Sequence, residues 1–160
     1  MLSEGESAPD FELESDTGET VRLSDFRGKT VLLYFYPRDN TPGCTKEACG
    51  IRDAWSEFEA SGLVVLGVSP DSVASHERFR SKYNLPFTLL ADPEHHVSKL
   101  YNAWREKSLY GKIALGLVRS TYLIGPDGTV LKAWPKVDPA KHSDAVLKAV
   151  SELSSAPVQV

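Results

Sequence analysis

The only two cysteines of the 160-residue chain lie in one short stretch, PRDNTPGCTKEACG, at residues 37–50. The spacing of Cys44 and Cys49 is neither the C-x-x-C of a dithiol redox motif nor a usual zinc-ligand spacing. Thr41 is a suitable N-cap and Pro42 suits a first helical position, so we predict a helix with Cys44 at its third residue. There the thiol lies beside unpaired backbone N–H groups and the positive end of the helix dipole, which favour the reactive thiolate.

A thiolate at this position needs a cation as well. A helix dipole typically contributes only about 0.3–1 kcal/mol. Arg119 stands directly before the apolar run at residues 120–124, which places it at the end of a predicted strand. An arginine is always charged and offers several donors, so we predict that it stabilises the thiolate and holds a substrate oxygen. A surface ion pair is the alternative for this residue.

Composition excludes several classes of function. The net charge of -4 argues against nucleic-acid binding, which requires a basic patch. The first residues carry acids where a signal peptide carries bases, and the longest apolar runs are too short to span a bilayer. We therefore expect a cytoplasmic protein without membrane contact. In that reducing compartment two cysteines are expected to be catalytic, redox-active or metal-binding rather than a permanent disulfide.

The apolar pattern predicts strands in two arrangements. Residues 11–14 and 20–23 alternate apolar with polar around Asp16-Thr17-Gly18, which indicates an N-terminal hairpin. A second hairpin is indicated at residues 120–134 by the turn Gly125-Pro126-Asp127-Gly128. Three nearly continuous apolar runs predict strands buried on both faces, as in parallel or mixed sheets: residues 31–36, 63–69 and 87–91.

Helices are predicted between these strands. The cysteine-containing helix starts just after Asn40, and its amphipathic part runs over 48–60. A second helix is capped by Ser72 or Asp71, a third takes Asp92 as N-cap over 93–104, and a fourth covers 139–153. This order predicts a three-layer α/β architecture. The length fits a single domain over residues 1–160, with a loose tail at 154–160.

At this point the residues resemble a known family. Pro37-x-x-x-Thr41-x-x-Cys44 resembles the peroxiredoxin active-site signature, and Thr-Pro-Gly-Cys-Thr-x-x-Ala-Cys is similar to its bacterioferritin-comigratory (PrxQ-like) branch. The resemblance covers nearly the whole chain, including Ala8-Pro9-Asp10-Phe11, residues 32–37, Tyr110-Gly111-Lys112, Gly116 and Arg119-Ser120-Thr121. It implies a thioredoxin fold with a central mixed sheet. It also implies reduction of hydrogen peroxide and organic hydroperoxides by thiols, with no metal, haem or other cofactor.

The resemblance also implies roles for single residues. Cys44 is expected to be the peroxidatic cysteine, which becomes a sulfenic acid, and Cys49 the resolving cysteine of an intrachain disulfide. Arg119 is expected to stabilise the thiolate and the leaving oxygen, and Thr41 to orient the peroxide. The expected substrate pocket includes Pro37, Pro42 (a shield for the sulfenic acid), Gly43, Glu47 (which orients the arginine) and Phe35. Core packing is the alternative for Phe35.

The cysteine spacing predicts a conformational change. Residues five apart in an α-helix have Cα atoms about 8.7 Å apart, whereas a disulfide needs about 6.8 Å or less. Part of 44–52 must therefore unwind after oxidation, and Gly43 and Gly50 lower the local helix preference. The family implies a thioredoxin-like reductant, and the branch resemblance favours a monomer.

One rival interpretation is a thioredoxin-fold copper-binding or carrier protein that uses the two cysteines. None of the four histidines stands in a recognisable ligand spacing with them: His76, His95, His96 and His142. Adjacent histidines on a helix point about 100° apart, so His95 and His96 are expected to be solvated. A departure from the family pattern is Arg105, where a glycine is expected.

Overall fold

The central sheet of the molecule has seven strands and mixed direction. The computed structural model describes residues 2–154, so all of the predicted tail at 154–160 except Ser154, which ends the last helix, lies outside the described residues. The sheet strands are β1 (Glu12–Ser15), β2 (Thr20–Arg22), β3 (Val31–Phe35), β4 (Val64–Ser69), β5 (Thr88–Ala91), β8 (Ser120–Ile124) and β9 (Val130–Trp134). Their order is β2-β1-β5-β4-β3-β8-β9, with β3, β4 and β5 parallel and the other neighbours antiparallel.

Helices cover both faces of this sheet. Their bounds are α1 (Pro42–Asp53), α2 (Trp55–Ala60), α3 (Val73–Tyr83), α4 (His96–Leu100) and α5 (His142–Ser154), with a 3-10 helix at Leu23–Phe26. One core cluster joins the sheet to α1, α2, α3 and α5, and a second cluster on the other face includes α4 and the N-terminal segment. The predicted three-layer α/β architecture is confirmed.

Strand β3 lies at the centre of the sheet and sets the position of the cysteine-containing loop. All five of its residues are buried, as its continuous apolar sequence predicts. It pairs in parallel with β4 and antiparallel with β8. The ends of β3 and β8 therefore bring Phe35 opposite Ser120, next to Arg119.

The prediction of one long helix at 93–104 is wrong. The helical part is only α4, because His95 takes a left-handed conformation (φ 59°) just before it. The Asp92 carboxylate still accepts hydrogen bonds from the backbone N–H groups of Val97 and Ser98. It therefore still caps the helix, from a position farther from the helix start than predicted. A hairpin that the sequence pattern did not predict follows, formed by β6 (Trp104–Leu109) and β7 (Lys112–Leu117).

Two further helix boundaries differ from the prediction. The chain between residues 42 and 60 forms two helices, because Ala54 leaves helical geometry (φ -100°, ψ 16°). The last helix begins at His142 rather than 139, after a turn in which Asp138 accepts the backbone N–H of Ala140. Within residues 2–154, every helix is too short or too polar to cross a lipid bilayer.

Candidate active site

The first turn of α1 leaves backbone donors open beside Cys44. Thr41 occupies the N-cap position with an extended backbone (φ -91°, ψ 156°), as predicted. Its hydroxyl does not cap the helix, however, but donates to the carbonyl of Arg38 at 2.9 Å. Pro42 has no N–H, and the N–H groups of Gly43 and Cys44 lie in the turn that has no intrahelical acceptors. Such groups attract an anionic atom.

Arg119 lies against the sulfur of Cys44. Both of its terminal nitrogens, Nη1 and Nη2, are 3.4 Å from Sγ, although the two residues are 75 positions apart in sequence. Cys44 is only 1% exposed, so water screens this contact poorly. The positive charge that the helix dipole alone cannot provide therefore comes from Arg119, the residue directly before β8.

Glu47 holds the guanidinium of Arg119 in this position. Its Oε1 accepts a hydrogen bond from Nη1 at 2.8 Å, and its side chain is fully buried one turn after Cys44. Burial raises the pKa of Glu47 to about 7, while the charge and hydrogen bond of Arg119 act in the opposite direction. Burial lowers the pKa of Arg119, but Glu47 and Cys44 outweigh it, so this pKa lies above its usual value.

Two polar residues that the sequence analysis did not assign to the site complete the cluster. His142, the first residue of α5, places Nδ1 3.1 Å from Glu47 Oε2 and Nε2 2.9 Å from the Thr121 hydroxyl oxygen. Burial lowers the pKa of His142 to about 4, and the charge of Arg119 adds to this effect. Histidine spacing gives no signal for this arrangement, because α1, β8 and α5 meet only in the folded protein.

Gly43 permits the close approach of Arg119 to the helix. A Cβ at Gly43 would lie 3.2 Å from Arg119 Nη2 and 3.7 Å from Pro139 Cγ. A larger residue would therefore press on the guanidinium. This is a packing role for a residue that the sequence analysis placed in the substrate pocket.

Arg119 also lines an open pocket of about 670 Å³, whose lining includes neither Cys44 nor Thr41. Pro37, predicted as a pocket residue, lies in its wall, while Pro42 is exposed at the start of α1. The β6–β7 hairpin forms most of the remaining wall. The lining residues are Pro37, Arg105, Glu106, Lys107, Ser108, Leu117, Val118, Arg119, Lys136 and Val137.

Phe35, predicted as a pocket residue, lies in the core and does not line the pocket beside Arg119. It is fully buried and packs against Tyr101 and Tyr122 in the core cluster on one face of the sheet. Cys44 belongs to the cluster on the opposite face, together with Tyr36. Because successive residues of a strand point to opposite faces, Phe35 and Tyr36 cannot both face the thiol. The alternative of core packing is correct for Phe35.

A polar cluster fixes the loop between β3 and α1. The buried Asp39 accepts hydrogen bonds from the Tyr36 hydroxyl (2.6 Å) and the Ser75 hydroxyl (2.8 Å), and its backbone N–H donates to Asp71 (2.7 Å). His76 contacts the Asp39 carboxylate through Nδ1 at 2.7 Å. The carboxylates of Asp39 and Asp71 and the imidazole of His76 lie close enough to share a cation, but the cluster contains neither cysteine. Its contacts tie the loop to α3.

Cys49 lies on the same uninterrupted helix as Cys44. Both thiols are free, Cys44 buried and Cys49 half-buried. Since α1 spans Pro42–Asp53, a regular helix holds their Cα atoms about 8.7 Å apart, beyond the reach of a disulfide. The described conformation therefore cannot join the two sulfurs.

Comparison with known proteins decides the family. The family model described as the AhpC/TSA family matches residues 5–133. The chain belongs to this family. It is 47% identical to peroxiredoxin Bcp of Bacillus subtilis over 150 residues, and this match covers 94% of this chain and 96% of that protein. It is 42% identical over 151 residues to peroxiredoxin Bcp of Escherichia coli, covering 94% and 97%.

Solved structures of peroxiredoxins agree with the observed fold. The bacterioferritin comigratory protein of Xanthomonas campestris superposes with a TM-score of 0.85 at 39% identity, over 91% of this chain and 92% of that one. A PrxQ mutant of Xylella fastidiosa gives 0.90 at 32% identity, over 97% and 99%. The predicted thioredoxin fold and peroxiredoxin resemblance are confirmed, and the chain is a thiol peroxidase. These matches favour the peroxidase over the rival copper-binding function.

Proposed function

We propose that Cys44 is the peroxidatic cysteine and that Arg119 is its catalytic partner. The observation that carries this proposal is the pair of 3.4 Å contacts between both terminal nitrogens of Arg119 and the buried sulfur. A fixed cation beside a nucleophile at a helix start stabilises a thiolate and also the negative charge that develops on the peroxide. Cys49 has no such partner set among the contacts of the described residues.

In the first step the thiolate sulfur attacks the terminal oxygen of the hydroperoxide. The S–O bond forms as the O–O bond breaks, and the electron pair leaves with the other oxygen, which takes a proton and departs as water or an alcohol. Cys44 is then a sulfenic acid. The Thr41 hydroxyl already donates to Arg38, so its lone pairs accept the peroxide O–H and orient it. Pro42 shields the product from water.

In the second step the Cys49 thiol attacks the sulfenic acid of Cys44. A disulfide forms and one water leaves. The spacing within α1 requires that residues 44–52 open first, and Gly50 near the second thiol lowers the cost of that opening. A thioredoxin-like dithiol then reduces the disulfide by thiol exchange and is itself oxidised, which restores both thiols.

The substrates that we propose are hydrogen peroxide and organic hydroperoxides. The related Xanthomonas campestris protein has been studied for alkyl peroxide reduction. The pocket beside Arg119 supports an organic substrate here, since Pro37, Leu117, Val118 and Val137 offer apolar surface for its carbon chain.

We further propose that the protein acts in the cytoplasm as a monomer. A peroxidatic cysteine must be reduced to react, and a reducing compartment keeps thiols in that state. Thiol trapping in fractionated cells tests the location, and sedimentation velocity tests the assembly state. A stable dimer in the reduced protein would contradict the monomer.

Stopped-flow consumption of hydrogen peroxide tests the assignment of the cysteines. Cys44→Ser is expected to lose the reaction, while Cys49→Ser should react once and then recycle poorly with a thioredoxin. Full activity in Cys44→Ser would overturn the proposal. Normal recycling in Cys49→Ser would remove the resolving role of Cys49 but leave the first step intact.

A further inference from the structure

His142 is the one imidazole in contact with the candidate site among residues 2–154. Its side chain is buried at the start of α5, where this helix packs against α1. Nδ1 lies 3.1 Å from Glu47 Oε2. Neither of these two atoms has an aligned hydrogen-bond partner within the described residues, although both are fully buried. Buried polar atoms without partners are costly, which makes their short separation significant.

The protonation state of the imidazole follows from its surroundings. Burial and the charge of Arg119 lower the pKa of His142 to about 4, so the ring is neutral at pH 7 and carries one N–H. The Thr121 hydroxyl can donate to Nε2 across 2.9 Å. Nδ1 is then the protonated nitrogen and faces a carboxylate oxygen. The contact has the length of a hydrogen bond but lacks its alignment.

We propose that His142 is a positioning residue of the peroxidase site, which fixes the Glu47 carboxylate that holds Arg119 against Cys44. The polar chain runs from the Thr121 hydroxyl through the imidazole to Glu47 Oε2, and from Oε1 to the guanidinium. This inference rests on the proposed role of Cys44. It assigns a function to the first residue of α5 in orienting a group on α1.

The geometry requires such a support. Only Oε1 of Glu47 contacts Arg119, and a carboxylate held at one oxygen is free to turn about its terminal bond. A donor at Oε2 removes that freedom and favours the ionised carboxylate that an arginine pairs with best. The other groups around the pair are Cys44 and Tyr34, and burial raises the pKa of Tyr34 well above its usual range, so it stays neutral. The Tyr34 and His142 rings lie 5.5 Å apart.

A double-mutant cycle on the rate of the first step tests the proposal. We expect His142→Leu and Glu47→Gln each to lower the second-order rate constant with hydrogen peroxide by about 10- to 100-fold, as for a lost hydrogen bond to a charged group. The rate constant of the double variant should lie within about twofold of that of the slower single variant, because His142 acts only through Glu47. Multiplicative losses would overturn the proposal.

A conservative variant separates positioning from mere packing. The amide N–H of an asparagine replaces the Nδ1 donor, so His142→Asn should recover most of the rate that His142→Leu loses. His96→Leu, at an exposed histidine on α4, is the matched control and should leave the rate unchanged. If His142→Asn is as slow as His142→Leu while both are folded by circular dichroism, the donor is not what matters and the proposal fails.

The wild-type protein offers a test that needs no altered packing. Nitrogen NMR distinguishes the two neutral imidazole tautomers, and His142→Asn identifies the resonance. We expect the Nδ1–H form in the reduced protein at pH 8 to 9, above the Glu47 pKa of about 7, where Glu47 is ionised. A dominant Nε2–H form would overturn the proposal. The proposed role of Cys44 is tested separately, because it fails only if Cys44→Ser keeps its peroxidase activity. The failure of the His142 proposal and the failure of the Cys44 proposal are therefore distinguishable.

Discussion

Arg119 places both terminal nitrogens at 3.4 Å from the Cys44 sulfur, and Glu47 anchors one of them at 2.8 Å. This relationship couples a helix start to the end of β8. It predicts that the reaction depends on the forked shape of the guanidinium and not only on its charge, since a lysine is a single point charge.

Replacing Arg119 tests that dependence. Arg119→Met removes the charge and should lower the rate constant with peroxide by about 10²-fold or more, as for loss of a preorganised donor. Arg119→Lys should recover only part of the rate, because one ammonium cannot contact both Cys44 and Glu47 in the same way. Stopped-flow measurement checks both variants. Equal rates for lysine and arginine would show that charge alone is sufficient.

Gly43→Ala should lower activity without lowering stability. The new Cβ would lie 3.2 Å from Arg119 Nη2 and displace the guanidinium, so we expect a loss of about tenfold in the peroxide rate constant, the change that about 1.4 kcal/mol produces. Alanine is a better helix residue than glycine by up to about 1 kcal/mol, which offsets the crowding. The melting temperature and the rate are measured together. An unchanged rate would mean that Arg119 is not constrained at this point.

Gly50→Ala should slow the second step and spare the first. A Cβ there would lie 3.4 Å from Ser143 Oγ, an acceptable contact, so the main effect is a more stable helix that opens less readily. A gain of about 1 kcal/mol corresponds to roughly fivefold slower disulfide formation. Rapid-quench trapping of thiols follows that step.

Amide hydrogen exchange tests the opening itself. Protection across residues 44–52 should fall on oxidation to the disulfide, because a regular α1 cannot contain it. Ser81→Ala, on an exposed part of α3, is the control for Gly50→Ala and should change neither step. Equal protection of α1 in the reduced and disulfide forms would contradict local unfolding.

Glu47 and His142 should give the free energy of unfolding opposite dependences on pH. The pKa of Glu47 is about 7 in the folded protein against an ordinary 4.5, so its contribution to stability is lost as pH rises through that interval. The pKa of His142 is about 4 against an ordinary 6.5, so its contribution is lost as pH falls from 6.5 to 4. In the wild type the two effects largely cancel between 4.5 and 6.5.

Single variants should uncover each slope. Across this interval Glu47→Gln should become more stable as pH rises, and His142→Asn less stable, each by up to about 1.4 kcal/mol per pH unit relative to wild type. Urea unfolding at several pH values measures the difference. Three parallel curves would show that neither group titrates as its burial requires.

Local sequence rules were sufficient for the thiol and its helix. Thr41 and Pro42 mark the start of α1, and an arginine directly before a buried strand indicates a charge at the sheet's end. Both signals lie within a few residues of the group concerned. The five-residue cysteine spacing likewise predicts that the two sulfurs cannot form a disulfide within a regular helix, since helix geometry alone keeps them apart.

The features that were missed depend on tertiary structure. Phe35 lies in a strand buried on both faces, so no alternation of apolar and polar residues shows which face meets the thiol. His142 and Thr121 contact the site only because α5 and β8 converge on α1. The β6–β7 hairpin turns at Tyr110 and Gly111, both at positive φ. A two-residue hairpin turn usually has Asn-Gly or Asp-Gly, and the tyrosine in the first position hid this turn from the sequence pattern.

The most direct test of the central claim is to trap the first oxidised product. Cys49→Ser, treated with one equivalent of hydrogen peroxide and then with dimedone, should carry one adduct, located on Cys44 by mass spectrometry. Arg119→Met in the same background should form this adduct far more slowly. An adduct-free Cys44 with peroxide fully consumed would contradict the proposal that this sulfur attacks the peroxide.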